Sequence, residues 1–274
     1  MQKVRHPGAL RSTRSSTVGP VNDLHPVPTS PSTPSPPRTP PAPAPPPFSM
    51  HETFLIAQTE ATGLALVRHG QQQRSTSPVF TPSEWVDPPL SDTGRRQAEA
   101  VGRAFADEPV DVVVSSHLSR AHETALAIAG HHGLEPVVLP DLREVETYRD
   151  LPDGASPADA VPEPFWRGVQ ARFPQERRWD LVPFGESSEE LRHRVVSTVE
   201  GLLAMHPAAH LVVVCHGGVI NAYLAHLLGI HEDMFFLPAH ASVTRLRRLG
   251  HQRVLESLND RDHLTSAEPT LLTY

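Results

Sequence analysis

Residues 64–70 read LALVRHG and residues 211–218 read LVVVCHGG, and these two stretches decide the fold. Each is a short run of valine and leucine that ends abruptly in histidine and glycine. Two further runs of four to five residues, Val110–Val114, broken only by Asp111, and Pro136–Leu139, have the same character. A run that is apolar at every position fits a strand covered on both faces, as in a parallel sheet. Between the runs lie amphipathic stretches. Residues 92–107 place Ala98, Val101 and Phe105 on one face, and residues 188–204 do the same with Leu191, Val195, Val199 and Leu202. Ser187 and Glu190 have the spacing of a capping box in front of the second. Ser242–Leu249 and Arg253–Leu258 read as a hairpin turning at Gly250 and His251. This alternation predicts a three-layer α/β/α sandwich with a mainly parallel central sheet.

In an open parallel sheet ligands bind beyond the carboxyl ends of the strands. Arg68, His69 and Gly70 stand at one such end, and His216, Gly217 and Gly218 at another. The glycines leave room for a ligand against the backbone, and they are expected to open helices whose free amides favour an anion. A third element, VVSSHLSRAHETA at 113–125, leaves its strand at Ser115 and carries Arg120 into the next helix. Two histidines and two arginines around one point make an electropositive pocket. Arginine suits it because the planar guanidinium binds phosphate bidentately. The expectation is geometric: residues 69 and 216 share one hollow the size of an oxyanion, walled by guanidinium groups.

With these residues quoted, the chain resembles the histidine phosphatase superfamily, also called phosphoglycerate mutase-like. The resemblance rests on LVRHG at 66–70, PLSDTGRRQA at 89–98, SSHLSRAHETA at 115–125, LRE at 142–144, GES at 185–187, VCHGGVI at 214–220 and LNDRDHL at 258–264. It implies His69 as a phosphorylated nucleophile and Glu144 as proton donor, with Arg68, Arg120 and His216 holding the phosphoryl oxygens beside Gly70 and Gly217. It also implies chemistry without a metal or other cofactor. The sequence departs from the family at Gln71 and Ser75, where glutamate and asparagine are usual, and in VETYRDLPDG after LRE.

The chemistry explains the residue types. A phosphoryl group in transfer spreads negative charge over three equatorial oxygens, and fixed cations aimed at them are the main catalytic device. Arg68, Arg120 and a protonated His216 would serve. His69 must be neutral at one ring nitrogen to attack, with the other nitrogen donating to a fixed acceptor. The leaving alkoxide needs a proton from a carboxylic acid, for which Glu146, Asp141 and Glu123 compete with Glu144. The expected activity is hydrolysis of a small phosphate monoester. A bisphosphoglycerate-dependent mutase is the alternative within the family, and an inactive phospho-ligand-binding module the alternative outside it.

Other signatures fail. A cysteine phosphatase loop needs arginine six residues after Cys215, where Asn221 stands; Leu126 replaces the second histidine of a metalloprotease helix begun at His122-Glu123; GESSE lacks the closing glycine of a serine hydrolase elbow. Ser187 reads as a helix cap and Cys215 as a small buried apolar residue. Residues 146–184 hold Tyr148, Phe165, Trp166, Phe173, Trp179 and Phe184. They either cover the site and select the leaving group or simply pack onto the sheet.

Of 30 prolines in 274 residues, 14 fall within residues 1–47. Residues 1–60 therefore read as a disordered tail, with a polyproline ligand as the functional alternative, and 61–274 as the catalytic domain. Met50 is a candidate true start. The formal net charge is −7, and residues 1–50 carry a net of +4, which leaves −11 on the remainder. An acidic body argues against nucleic-acid binding, and no run approaches the ~20 apolar residues of a membrane span. A single cysteine excludes a disulfide framework and points to a reducing, cytoplasmic setting. The expected partner is a small phosphorylated substrate, and the expected state a monomer or homodimer.

Overall fold

Leu64 and Leu66 point to one side of the central sheet and Ala65 and Val67 to the other, and all four are buried. This two-sided burial along β1 (Thr62–Arg68) organises the computed structural model, which describes residues 49–74, 86–147, 149–151 and 160–274. Six strands form one sheet in the order β3-β2-β4-β1-β5-β6. β2 is Val112–Ser115, β3 Val137–Val138, β4 His210–Cys215, β5 Val243–Leu249 and β6 Gln252–Asp260. The first four strands in chain order are mutually parallel, while β5 and β6 are antiparallel additions on the far side of β1.

Seven α-helices lie among the described residues: α1 (Met50–Thr53), α2 (Asp92–Phe105), α3 (Ser119–Ala129), α4 (Glu163–Glu176), α5 (Ser188–Met205), α6 (Gly217–Leu228) and α7 (Asp262–Ala267). Leu191, Val195, Val199 and Leu202 of α5 and Val219, Ile220 and Tyr223 of α6 pack with Leu64, Leu66, Leu211 and Val213 on one face. Val101 and Phe105 of α2, Ala121, Ala125 and Ile128 of α3 and Leu264 of α7 cover Ala65, Val67, Val212 and Val214 on the other. The helix faces read from periodicity are the ones that are buried. The capping box forms as spaced: Ser187 accepts from the Glu190 amide, and Glu190 accepts from the Ser187 amide. The hairpin turns at Gly250, whose φ of +56° lies in the left-handed region that glycine adopts without strain.

Three expectations change. Pro136–Leu139 is not buried on both faces: only Val137 and Val138 form a strand, at the sheet edge, and both are exposed. An apolar run of this length does not say whether a second strand will flank it. The glycine after His69 opens no helix: residues 70–74 are non-helical, with Gln72 bridged to Leu90. Residues 49–60, assigned to the tail from composition, contain α1 and bury Leu55. Residues 1–48, and with them the proline-rich stretch, lie outside the described residues, as do Ser75 and Tyr148.

Candidate active site

Register brings the two histidines together. β1 and β4 are adjacent and parallel with Arg68 opposite Cys215, so the residues that follow, His69 and His216, emerge side by side. The His69 amide donates to the Cys215 carbonyl at 3.0 Å and anchors that pairing one step beyond the strand. The ring centroids lie 4.9 Å apart, inclined at 59°. Both residues are buried.

The His69 ring has a defined tautomer. Nδ1 lies 2.6 Å from the Gly70 carbonyl oxygen, which only accepts, so Nδ1 carries the proton. Nε2 is then a lone pair, and the Nε–H of Arg120 points at it from 3.3 Å. The fixed acceptor required for the second nitrogen is thus the backbone of the next residue. Arg120 occupies the first turn of α3 and is itself held by the Val86 carbonyl at 3.0 Å and the Asp87 carboxylate at 3.8 Å.

Gly70 differs from its expected part. Its N–H donates to Thr124 Oγ1 at 3.1 Å, and a Cβ there would strike the Gly94 backbone of α2. Glycine at this position lets two chain segments touch, and its amide is already used. Gly217 meets the expectation better: it opens α6 directly after His216, and a Cβ on it would lie 3.8 Å from Arg68 Nε and 4.0 Å from Glu144 Oε2.

Glu144 is the carboxylate beside the arginines. Oε1 accepts from the Gly218 amide at 3.0 Å and from its neighbour Val145 at 3.0 Å, which pins the group at the amino end of α6. Burial pulls the Arg68 and Arg120 pKa values down, and the Glu144 charge opposes this in both. The competing carboxylates are engaged elsewhere: Glu146 pairs with Arg143 at 3.0 Å, and Asp141 is exposed beside the same arginine.

Burial drives both site histidines well below the ordinary 6.5; the next cause is His216 for His69, and Arg120 for His216. These surroundings oppose the proton that His216 is expected to carry beside a phosphoryl group. A cation there would be desolvated and would face two guanidinium groups. Neither His216 ring nitrogen has a hydrogen-bond partner among the described residues, an arrangement that is costly unless something polar enters the hollow.

Sequence reading missed three residues. His240, in the loop before β5, lies with its ring 5.8 Å from that of His69 and its Nε2 3.0 Å from an Arg68 nitrogen. Nothing in PAHAS marks it, because its role depends on a strand pairing 170 residues away. Arg194 and Glu186 form a buried ion pair, and Arg194 Nη1 also donates to the carbonyls of Asp141 (2.8 Å) and Arg143 (2.9 Å). This pair holds the loop that carries Glu144. It explains the GES motif: a Cβ at Gly185 would press on the carbonyls of Glu146 and Thr147 at 3.1 and 3.2 Å, Glu186 binds Arg194, and Ser187 caps α5. Glu186→Ala is expected to cost about 3–5 kcal/mol by stranding a buried charge, read as a lower urea midpoint. An unchanged midpoint contradicts it.

Gln71 turns its side chain to Ser91 Oγ, the cap of α2, at 2.9 Å. Asn221, where a cysteine phosphatase needs arginine, binds the carbonyls of Gly217 and Phe236. Burial pushes the Cys215 thiol up, away from the thiolate. Of the aromatics at 146–184, Trp179 packs on the core and against Phe173, with ring centroids 5.3 Å apart, while Phe165 is exposed. No group of three or more histidine, cysteine, aspartate or glutamate side chains among the described residues is placed to hold a metal ion. No helix among them is long and apolar enough to cross a membrane.

Three buried histidines held neutral make the fold acid-sensitive. For His240 the value is pushed down to about 3, by burial first and Arg68 second. As pH falls below about 6.5 the unfolded chain binds protons that the folded one refuses, so each such site costs about 1.4 kcal/mol per pH unit until its folded value is reached. Stability is full above that pH and lost below it. Scanning calorimetry should show Tm falling steadily from pH 7 to pH 5; a flat Tm over that window would refute the account.

The fold is an α/β/α sandwich that gathers two histidines and two arginines at the carboxyl edge of its parallel strands, an arrangement suited to an anion. The chain belongs to the histidine phosphatase superfamily (branch 1), whose family model matches residues 64–261. It is 29% identical over 215 residues to a metal-independent phosphoserine phosphatase of Arabidopsis thaliana, covering 76% of this chain and 86% of that one. It is 30% identical over 217 residues to a protein of Yersinia pestis named "Probable phosphoglycerate mutase GpmB", covering 73% and 93%. Among solved structures, mycobacterial glucosyl-3-phosphoglycerate phosphatase superimposes with a TM-score of 0.59 at 27% identity, covering 73% of this chain and 99% of that one.

Proposed function

We propose that this protein hydrolyses a small phosphate monoester through a phosphohistidine on His69. The observation that carries the reading is the Nδ1–Gly70 hydrogen bond, which leaves the Nε2 lone pair facing the guanidinium of Arg120. Nε2 attacks phosphorus, the P–O ester bond breaks, and the departing oxygen takes a proton from Glu144. Water then gives a proton to Glu144 and attacks the phosphohistidine. The P–N bond returns its electrons to Nε2, and inorganic phosphate leaves. Arg68, Arg120 and His216 line the hollow where the equatorial oxygens sit, and their charge falls on the oxygens that gain it in the transition state. A dianion seated among them supplies the counter-charge that lets His216 take up a proton.

A relative named as a mutase keeps phosphotransfer as the second reading, because the two activities share this pocket and differ in whether water reaches the phosphohistidine. The relatives named as phosphatases support the first. The inactive-binder reading has no use for a buried, tautomer-fixed imidazole at the centre of an anion site. The deciding assay supplies phosphoserine, sugar phosphates and phosphoglycerates in chelator, without bisphosphoglycerate. Release of inorganic phosphate is the expected result. Isomerisation of a phosphoglycerate only when primed by bisphosphoglycerate would favour the mutase.

A further inference from the structure

Arg68 must be held still to serve as a clamp, and it makes no side-chain ion pair shorter than 4 Å among the described residues. Its two terminal nitrogens are instead taken by neutral acceptors. Nη1 donates to the Pro238 carbonyl, and Nη2 lies 3.0 Å from His240 Nε2. A guanidinium has no acceptor, so His240 Nε2 must be the lone pair and Nδ1 must carry the proton. Nδ1 in turn lies 2.9 Å from Thr273 Oγ1. The segment bearing Thr273 is tied down twice more: the Thr273 carbonyl accepts from the His240 amide at 3.0 Å, and Thr273 Oγ1 accepts from Gln97 Nε2 at 2.8 Å. Gln97 is fully buried, and its Oε1 accepts from the Gln71 amide at 2.7 Å, two residues past His69. The chain of bonds thus leaves the site at Arg68, passes through a residue near the other end of the sequence, and returns beside the nucleophile.

We infer that His240 is a positioning residue for Arg68 and that Thr273 sets its tautomer, so that the segment after α7 is part of the phosphoryl clamp. This rests on the reading of Arg68 as a ligand of the phosphoryl oxygens. The alternative tautomer would point an N–H at the guanidinium, and the head group would have to swing away. The groups facing the His240 ring are Arg68, His69 and Thr273, with Arg74 and Arg120 adding positive charge at longer range.

The expected pattern separates positioning from mere support. In His240→Leu, kcat falls about 10²-fold, the cost of an oxygen ligand misplaced by roughly 1 Å, and KM changes little. Inhibition by orthovanadate, which takes up the five-coordinate geometry of the transferring group, weakens by the same factor as kcat, whereas inhibition by inorganic phosphate does not. His240→Gln, which offers an acceptor oxygen, restores part of the loss. Thr273→Val, which keeps the shape and removes Oγ1, moves kcat and vanadate inhibition in the same direction by less, and Thr273→Ser, which keeps an acceptor oxygen, loses less of both than Thr273→Val does. Arg68→Ala is measured alongside. If Arg68→Ala is inactive while His240→Leu and Thr273→Val keep wild-type kcat and vanadate inhibition, the positioning inference is overturned and the clamp stands. If Arg68→Ala turns over normally, the clamp itself falls. Should His240→Leu not fold, Thr273→Val decides alone, since it preserves the packing.

Discussion

His69→Ala is expected to lose roughly 10⁴–10⁶ of kcat, the range seen when a covalent nucleophile is removed and only binding and transition-state electrostatics remain. The structure narrows the chemistry to one atom. Nδ1 is committed to the Gly70 carbonyl, so on the proposed mechanism Nε2 is the atom that would carry the phosphoryl group. Rapid acid-free quenching of the wild type with a labelled monoester should trap phosphate that survives base and is lost in acid, as a phosphoramidate is, and His69→Ala should trap none. The substitution removes a buried ring, so circular dichroism and phosphate-dependent Tm accompany the assay. Turnover at the wild-type rate, or acid-labile label persisting in the variant, would remove His69 from the reaction.

The second large effect is expected at the proton donor and depends on the substrate. Glu144→Gln keeps an oxygen for the Gly218 amide but has no proton to give and cannot accept one from water. For an alkyl phosphate, whose alkoxide leaves poorly, the loss should be about 10²–10⁴-fold, the usual worth of general acid–base catalysis. For p-nitrophenyl phosphate the first step needs no acid, while the second still needs a base. The variant should therefore release nitrophenol in a burst close to one per site and then stall with phosphohistidine accumulated. Full activity on the alkyl ester would return the role to Glu146, Asp141 or Glu123. The pairing of Glu146 with Arg143 and the exposure of Asp141 weigh against the first two.

Glu144 is marked in the sequence only by the family resemblance, whereas the place of His69 is legible for a local reason. His69, His216 and Arg120 stand where an apolar run stops or a helix begins, and those transitions are written in a handful of neighbouring side chains. The helix faces of α2 and α5 and the capping box of Ser187 were legible for the same reason. Where the reading went astray, the missing fact was a neighbour distant in sequence. Pro136–Leu139 looks like a central strand until it is seen to have no partner beyond it among the described residues. Gly70 looks like a cradle for a ligand until Gly94 of α2 is found against it. His216 stands at a strand end like any polar residue, and only the fold shows that burial first, and Arg120 and Arg68 second, oppose a proton on it.

The order of strands and helices, the pairing of each histidine with a strand end and the supply of guanidinium groups are properties of the chain itself, because periodicity and chain termination act over a few residues. Which strands lie side by side, and hence that residues 69 and 216 meet at all, is decided by the β1–β4 register. Tertiary packing alone also placed His240 on Arg68, Thr273 on His240 and Arg194 beneath the Glu144 loop. These contacts join segments between 33 and 172 residues apart. Nothing in the local sequence encodes them; they exist because burying both faces of one sheet forces distant loops onto its carboxyl edge, where their polar groups must find one another.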